Sequence, residues 1–206
     1  MSTSEVLEYQ LPSGLLGRKH TLRLTPEYVA YEAGNKKSGL FTKVEKDSIA
    51  DIRQDMNWII WYRFYVGCEF KIDIKTNDDN VLKINFTSYF NKTGTYIQLY
   101  NEITDHLLKY FLNEKVMLHV QQLQKGKVVE LQEARLSKQG IALAAEETLL
   151  TWEEVRVKLY PNFFVIYKHD NPEIYKQVYY YAWESEVLLG VIEHIINDEE
   201  ASIIAE

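Results

Sequence analysis

A ten-residue segment of this chain occurs twice, and this repeat constrains the fold more than any other feature. Residues 22–31 read LRLTPEYVAY, and residues 134–143, 112 positions later, read ARLSKQGIAL. Both copies are followed by short strand-like segments and then by an amphipathic helical segment. The matched positions are Arg23 with Arg135, Leu24 with Leu136, Thr25 with Ser137, Val29 with Ile141 and Ala30 with Ala142. Because a repeat at fixed spacing indicates a repeated structural unit, the sequence predicts two copies of one small β-rich domain.

Hydrophobic periodicity predicts the elements of each copy. In the first, apolar residues alternate with polar ones on both sides of the turn Asn77–Asn80, which predicts an antiparallel hairpin with one buried face. The period then changes to that of a helix over residues 93–112, with further helical character up to Gly126. In the second, a hairpin closes around His169–Pro172, and a final helix is predicted over about 185–197.

Strands followed by a helix, twice over, resemble the pleckstrin-homology-like (PH-like) barrel, in particular bacterial PH-like and GRAM-type domains. The segments that carry this resemblance are residues 136–141, LSKQGI, residues 150–155, LTWEEV, and the two amphipathic helices. In the first copy, Lys46–Ile49 occupy the position that corresponds to LTWEEV. The resemblance implies two antiparallel β-barrels, each capped by its C-terminal helix. It places the first domain at 1–125, the second at 126–198 and a tail at 199–206.

Composition and charge exclude several classes of protein. Hydrophobic residues make up 46% of the chain and charged residues 26%, as in a folded globular protein. The formal net charge of −7 comes from an acidic excess in the second half, which disfavours nucleic-acid binding because phosphates are neutralised by Lys and Arg. The N-terminus lacks a secretory pattern, and no apolar run approaches the length of a membrane span. The sequence therefore predicts a cytoplasmic protein.

Candidate catalytic and metal-binding residues do not form any known motif. The lone Cys68 excludes multi-cysteine metal sites and is expected in the core. The adjacent acidic pairs, Glu146–Glu147 and Glu153–Glu154, do not converge, because neighbouring strand residues face opposite sides. The five histidines lie on separate predicted elements: His20, His106, His119, His169 and His194. We therefore expect no enzymatic activity, no catalytic residue, no metal and no cofactor.

A lysine cluster forms one candidate binding site. Lys36 and Lys37 lie in a predicted loop between Gly34 and Gly39, and Lys43 and Lys46 follow it. In PH domains that bind phosphoinositides, basic side chains near such a loop hold phosphate groups. Four acidic residues are mixed into this region, so a solvated, charged loop is the alternative. Membrane contact through this loop is expected to be weak.

The least expected segment is residues 58–66, WIIWYRFYV, a continuous apolar run with one Arg. In an antiparallel strand with one solvent-exposed face, apolar and polar residues should alternate. The continuous run therefore predicts a strand that is covered on both faces. The cover is either another part of the chain or a partner, and Trp, Tyr and Arg are enriched where interfaces carry binding energy. The candidate interaction residues are Trp58, Ile60, Trp61, Tyr62, Arg63, Phe64 and Tyr65.

Two functions are consistent with these features. The first is a non-enzymatic binding or scaffold protein that contacts a protein partner or a second copy of itself. The alternative is a peripheral membrane protein, or a sensor of an anionic ligand, that uses the lysine loop. The sequence identifies neither the ligand nor the partner.

Overall fold

The computed structural model describes residues 6–13, 18–32, 40–89, 92–144 and 148–204. The chain divides into two compact units, unit 1 (Met1–Phe111) and unit 2 (Leu112–Glu206). The described chain as a whole is mainly antiparallel strand with helices in both units, so the predicted mainly β class with α is confirmed. Among the described helices, none has the length and apolar character needed to cross a bilayer.

Unit 1 contains two antiparallel sheets and a helix. The first sheet has the order β1-β2-β3-β4 and the second has the order β5-β6-β7. A 3₁₀ turn at Lys46–Ser48 joins the two sheets, and a π-helical turn at Leu108–Leu112 follows the helix. The elements are β1 (Leu7–Ser13), β2 (Arg18–Leu24), β3 (Tyr28–Glu32), β4 (Phe41–Glu45), β5 (Ile49–Trp61), β6 (Phe64–Thr76), β7 (Val81–Tyr89) and α1 (Thr93–Leu107).

Unit 2 repeats this order after an additional helix. Its sheets have the orders β8-β9-β10-β11 and β12-β13-β14, and a 3₁₀ turn at Trp152–Glu154 joins them. The elements are α2 (Asn113–Gln124), β8 (Val129–Leu131), β9 (Ala134–Ser137), β10 (Gly140–Ala142), β11 (Leu150–Thr151), β12 (Val155–Leu159), β13 (Phe163–Lys168), β14 (Asn171–Tyr179) and α3 (Ser185–Ile204). Each unit therefore has four strands, a 3₁₀ turn, three strands and a C-terminal helix.

The repeated sequence occupies the same place in the two sheets. In unit 1, Arg23 on β2 lies opposite Ala30 on β3. In unit 2, Arg135 on β9 lies opposite Ala142 on β10. The register is thus conserved between the copies as well as the residue types.

The core of unit 1 lies between its second sheet and α1. Alternate residues of β6 and β7 are fully or almost fully buried, and the Phe70 and Phe86 rings stack with centroids 4.8 Å apart. Tyr100 of α1 packs on both rings, and its hydroxyl donates to the carbonyl oxygens of Asp55 at 3.3 Å and Lys71 at 3.4 Å. The predicted helical face of α1 therefore packs on the strands of its own unit.

The core of unit 2 includes the tryptophan of the segment LTWEEV, for which the first copy has no equivalent tryptophan. Trp152 is buried, and its Nε1 donates to the Ser137 carbonyl oxygen at 3.1 Å. The apolar face of α3 is buried, and Gly190 lets the side chain of Val116 on α2 approach closely. α2 therefore packs on α3 within unit 2, although the sequence analysis grouped this segment with the domain at 1–125.

Three details differ from the sequence-based expectations. β1 was not predicted, although Leu7, Tyr9 and Leu11 alternate. The hairpin at residues 129–136 was also not predicted, and Gln132 and Glu133, both at positive φ, make its two-residue turn. α3 extends to Ile204, into the segment expected to be a tail (199–206).

Candidate functional site

The candidate site is the end of the β5–β6 hairpin, residues 58–66, which we call the aromatic tip. β5 ends at Trp61, Tyr62 and Arg63 make the turn, and β6 begins at Phe64. The continuous apolar run is therefore a hairpin, and the prediction of one strand is wrong.

The aromatic tip extends beyond the sheet that supports its base. β5 and β6 each have 13 residues, whereas β7 has nine. The pairing of β6 with β7 ends at Gly67, which lies opposite Tyr89. Residues 60–66 therefore belong to a two-stranded ribbon, in which neither face has the core of unit 1 beneath it. This explains the absence of alternation, because both faces of the ribbon carry apolar side chains.

The aromatic side chains of the tip are exposed and already ordered against one another. On the face that continues from the core, the rings of Trp58 and Tyr65 meet edge to face with centroids 5.3 Å apart. On the opposite face, Trp61 lies across from Phe64. The exposed fractions are 44% for Trp58, 59% for Ile60, 68% for Trp61, 88% for Tyr62, 73% for Phe64 and 70% for Tyr65. No described part of unit 1 covers these side chains, and cover by a partner remains a prediction.

Three backbone features shape the tip. Tyr62 has φ of 56°, a conformation that glycine or asparagine normally occupies in a hairpin turn. At the base, a bulge between Ile59 and Ile60 leaves Val66 as the extra residue on β6. Gly67 lies against β7 so closely that a Cβ there would be 2.3 Å from the Ser88 carbonyl oxygen. The direction of the ribbon is thus set by specific local geometry.

The corresponding hairpin of unit 2 is short. β12 has five residues and β13 has six, and the turn at 160–162 joins them. The Tyr160 and Phe163 rings stack across this turn with centroids 4.6 Å apart. Because unit 2 forms the same order of elements without a long ribbon, the extension in unit 1 is not a requirement of the fold.

The lysine cluster does not form a defined cationic site in the described part of the chain. Lys36 and Lys37 lie outside the described residues. The Lys43 ammonium is 2.7 Å from Glu45 Oε1 and 4.1 Å from the centre of the Tyr28 ring. Lys46 is in the 3₁₀ turn, and its backbone N–H donates to the Glu27 carbonyl oxygen at 2.8 Å.

The histidines are distributed over separate elements, as their positions in the sequence indicated. His20 is buried on β2 with its ring centroid 6.1 Å from that of Tyr31. His106 on α1 has Nδ1 2.7 Å from the Glu102 carbonyl oxygen. The other three lie on α2, in the β13–β14 turn and on α3. Within the described ranges, no group of three or more His, Cys, Asp or Glu side chains is arranged to hold a metal ion.

The remaining candidate residues have structural surroundings. Cys68 is fully buried, as predicted, and burial raises the pKa of its thiol to about 11. Glu154 belongs to a capping box, in which Oε2 accepts from the Thr151 backbone N–H at 2.9 Å. Glu153 is exposed beside it, while Glu146 and Glu147 lie outside the described residues.

Comparisons with protein families, curated proteins and solved structures found no match to this chain.

Proposed function

We propose that this protein is a non-enzymatic binding protein built from two PH-like domains, and that it docks on a protein partner through the aromatic tip. The PH-like assignment is supported by the order of four strands, three strands and a helix in both units. The observation that most directly supports the docking role is the exposure of six large apolar side chains on the ribbon.

The size of this surface supports a role in binding. Aromatic side chains present 150–250 Å² each, so the exposed fractions give the tip roughly 800–900 Å² of apolar surface. Soluble monomers rarely expose a contiguous apolar patch beyond a few hundred Å². A standard protein interface buries about 800 Å² on each partner. A partner that encloses both faces of the ribbon would therefore bury an area typical of one side of a specific interface.

The residue types and the order of the tip also support a protein interface. Trp, Tyr and Arg dominate the binding energy of interfaces, and Trp61, Tyr62 and Arg63 are consecutive at the turn. The contact between the Trp58 and Tyr65 rings restricts both side chains before any partner arrives. Such preorganisation lowers the entropic cost of binding.

Site-specific photocrosslinking tests this proposal. A photoreactive phenylalanine analogue at Tyr62 is expected to give a discrete crosslinked protein when the full chain is expressed in its native host. The same analogue at Tyr160, in the equivalent hairpin of unit 2, is the matched control and is expected to give none. If Tyr62 gives no protein crosslink, or no more than Tyr160 does, the docking role of the tip is wrong.

A further inference from the structure

We infer that the protein partner receives the aromatic tip in an apolar cleft, whose walls contact both faces of the ribbon and whose floor carries a carboxylate that pairs with Arg63. This inference rests on the proposed docking function and names the chemistry of the partner's site. It follows from three features of the tip, namely the distribution of its apolar side chains, the position of its charge and the open edge of β5.

The six exposed apolar side chains of the tip are divided equally between the two faces of the ribbon. The face that continues from the core carries Trp58, Ile60 and Tyr65. The opposite face carries Trp61 and Phe64. The Tyr62 ring extends this second face, because it meets the Trp61 ring edge to face with centroids 5.6 Å apart. By their exposed fractions, the side chains of each face present roughly 400 Å² of apolar surface.

This distribution favours a partner with two walls. A flat surface would cover one face only, about half of the roughly 800 Å² that a standard interface buries on each partner, and would leave three large side chains in water. A cleft removes both faces from water, which is the main driving force for association. The ribbon extends three residues beyond the pair Ile59–Gly67, where β7 ends, so the cleft is about 10 Å deep.

The position of the charge places an acidic group at the floor of the cleft. Arg63 is the single charged residue of the aromatic tip, and it lies in the turn between Tyr62 and Phe64. These two neighbours are the most exposed apolar residues of the tip, so a partner that covers them also covers the guanidinium group. Burial of an unpaired charge is strongly unfavourable. A carboxylate satisfies the guanidinium group with two parallel hydrogen bonds.

The chain itself does not supply this carboxylate. Arg63 forms no ion pair with another residue of the described ranges. The acidic side chains behind the ribbon already have partners, since Asp55 accepts from the Asn57 amide at 2.6 Å and Glu69 lies 3.0 Å from Lys71 Nζ. The counter-charge for Arg63 therefore comes from the partner.

The charge and the edge both disfavour a bilayer as the occupant. Because Arg63 lies in the turn, it would enter the hydrocarbon first, where a charged side chain is costly. β5 is an outer strand of its sheet, with β6 on one side only, and hydrocarbon cannot hydrogen-bond to the peptide groups of an open edge. A protein wall can supply polar groups to that edge as well as a carboxylate to Arg63.

Photocrosslinking from the two faces tests the cleft. The photoreactive phenylalanine analogue replaces Ile60 on one face or Phe64 on the other, in the full chain expressed in its native host. Both positions are expected to crosslink to one and the same protein. Mass spectrometry of the crosslinked peptides is expected to place the two attachment sites on opposite walls of one concavity of that protein. The analogue at Tyr160 again serves as the control.

A charge exchange tests the floor of the cleft. The crosslinked protein is purified and titrated with the wild-type chain and its variants by calorimetry. Arg63→Glu is expected to weaken binding by roughly tenfold or more, because two carboxylates would meet, and Arg63→Lys, which keeps the charge, is expected to lose less. Binding of Arg63→Glu should recover when Lys replaces the Asp or Glu of that protein nearest to the crosslink from Tyr62. Lys158→Glu, in the equivalent hairpin of unit 2, is the control and should bind as the wild type does. Circular dichroism verifies that each variant is folded.

Each other outcome overturns the inference. If only one face crosslinks, or if the two faces crosslink to different proteins, the docking function stands but the tip does not enter a cleft. If Arg63→Glu binds as tightly as the wild type, the floor has no carboxylate. A crosslinked product of twice the chain mass of 24.3 kDa identifies a second copy of this chain as the occupant. If no position of the tip crosslinks to protein and the chain floats with phosphatidylcholine vesicles, the tip binds lipid and the docking function is wrong as well.

Discussion

Arg135 Nε lies 3.3 Å from Glu130 Oε1, and this ion pair has an equivalent in unit 1, where Arg23 Nε lies 2.9 Å from Glu8 Oε2. In both units the Arg is on the second strand of the first sheet, directly opposite the Glu on the first strand. The first strand ends at Ser13 and the second begins at Arg18 in unit 1, whereas only two residues separate β8 from β9 in unit 2. The two glutamates therefore do not align when the two copies of the sequence are superposed at the arginines, although they occupy equivalent positions in the two sheets.

We expect this conserved pair to contribute little to stability. The Arg135 and Glu130 side chains are 50% and 69% exposed, so water screens their attraction. A double-mutant cycle with Arg135→Ala and Glu130→Ala should give a coupling free energy below about 1 kcal/mol, and salt should reduce it further. A coupling of several kcal/mol that resists 1 M salt would show that the pair is a structural determinant of the sheet.

The turns explain which strands could be predicted from the sequence. The hairpins predicted around Asn77–Asn80 and His169–Pro172 have turns that contain Asn, Asp or Pro, residues that favour turns, and the structure contains both. Two hairpins that were not predicted turn at Tyr62–Arg63 and at Gln132–Glu133, where residues other than glycine take positive φ. Propensity gives no signal for such turns, because tertiary context imposes the backbone conformation.

Tertiary context also limited the prediction of the candidate site. The apolar composition of residues 58–66 identified the segment as unusual and named its side chains. Its geometry depends on the unequal lengths of β6 and β7 and on the end of their pairing at Gly67. These are long-range properties of the sheet, which the local pattern of hydrophobic residues does not specify.

The turn residue Tyr62 gives a test of backbone conformation. At φ of 56°, a residue with a Cβ is disfavoured, so Tyr62→Gly should be more stable than Tyr62→Ala by about 1 kcal/mol. In an ordinary strand the order would be reversed, because glycine loses more entropy on folding. Both variants lose the tyrosine ring, so their difference in free energy of unfolding isolates the backbone. If the alanine variant is the more stable of the two in urea denaturation, Tyr62 does not have this conformation.

Gly67 should be intolerant of any side chain. The Cβ of Gly67→Ala would lie 2.3 Å from the Ser88 carbonyl oxygen, so β6 and β7 would have to separate. Overpacking of this kind costs about 1–3 kcal/mol, measured as a loss in the free energy of unfolding. Gly94→Ala is the matched control on α1 in the same unit, because its Cβ would meet nothing within 4 Å. That control should be neutral or stabilising by up to about 1 kcal/mol, and equal losses in the two variants would refute the predicted close approach.

Cys68 should react with thiol reagents only when unit 1 opens. The side chain is fully buried, and burial, aided by Glu69, raises the pKa of the thiol to about 11. At pH 8 the thiolate fraction is therefore small in the native state, and the reagent has no access to the sulfur. Labelling in native buffer should be many times slower than in denaturant.

Glu154 should make the stability of unit 2 depend on pH in the acidic range. The Thr151 backbone N–H and the Lys168 ammonium, 3.0 Å from Oε1, hold the pKa of this carboxyl below its usual range. Because the folded-state pKa is lowered, the stabilisation is fully present above the unfolded pKa of about 4.3. It is lost as the pH falls through the folded-state value.

The difference in unfolding free energy between wild type and Glu154→Gln should therefore be large at pH 7 and decrease steadily on acidification. Glu153→Gln removes the same charge from the same turn but leaves the bond to Thr151, so its gap should be small at every pH. If Glu154→Gln instead shows a constant gap from pH 7 down to pH 2, the carboxylate form is not what stabilises the turn.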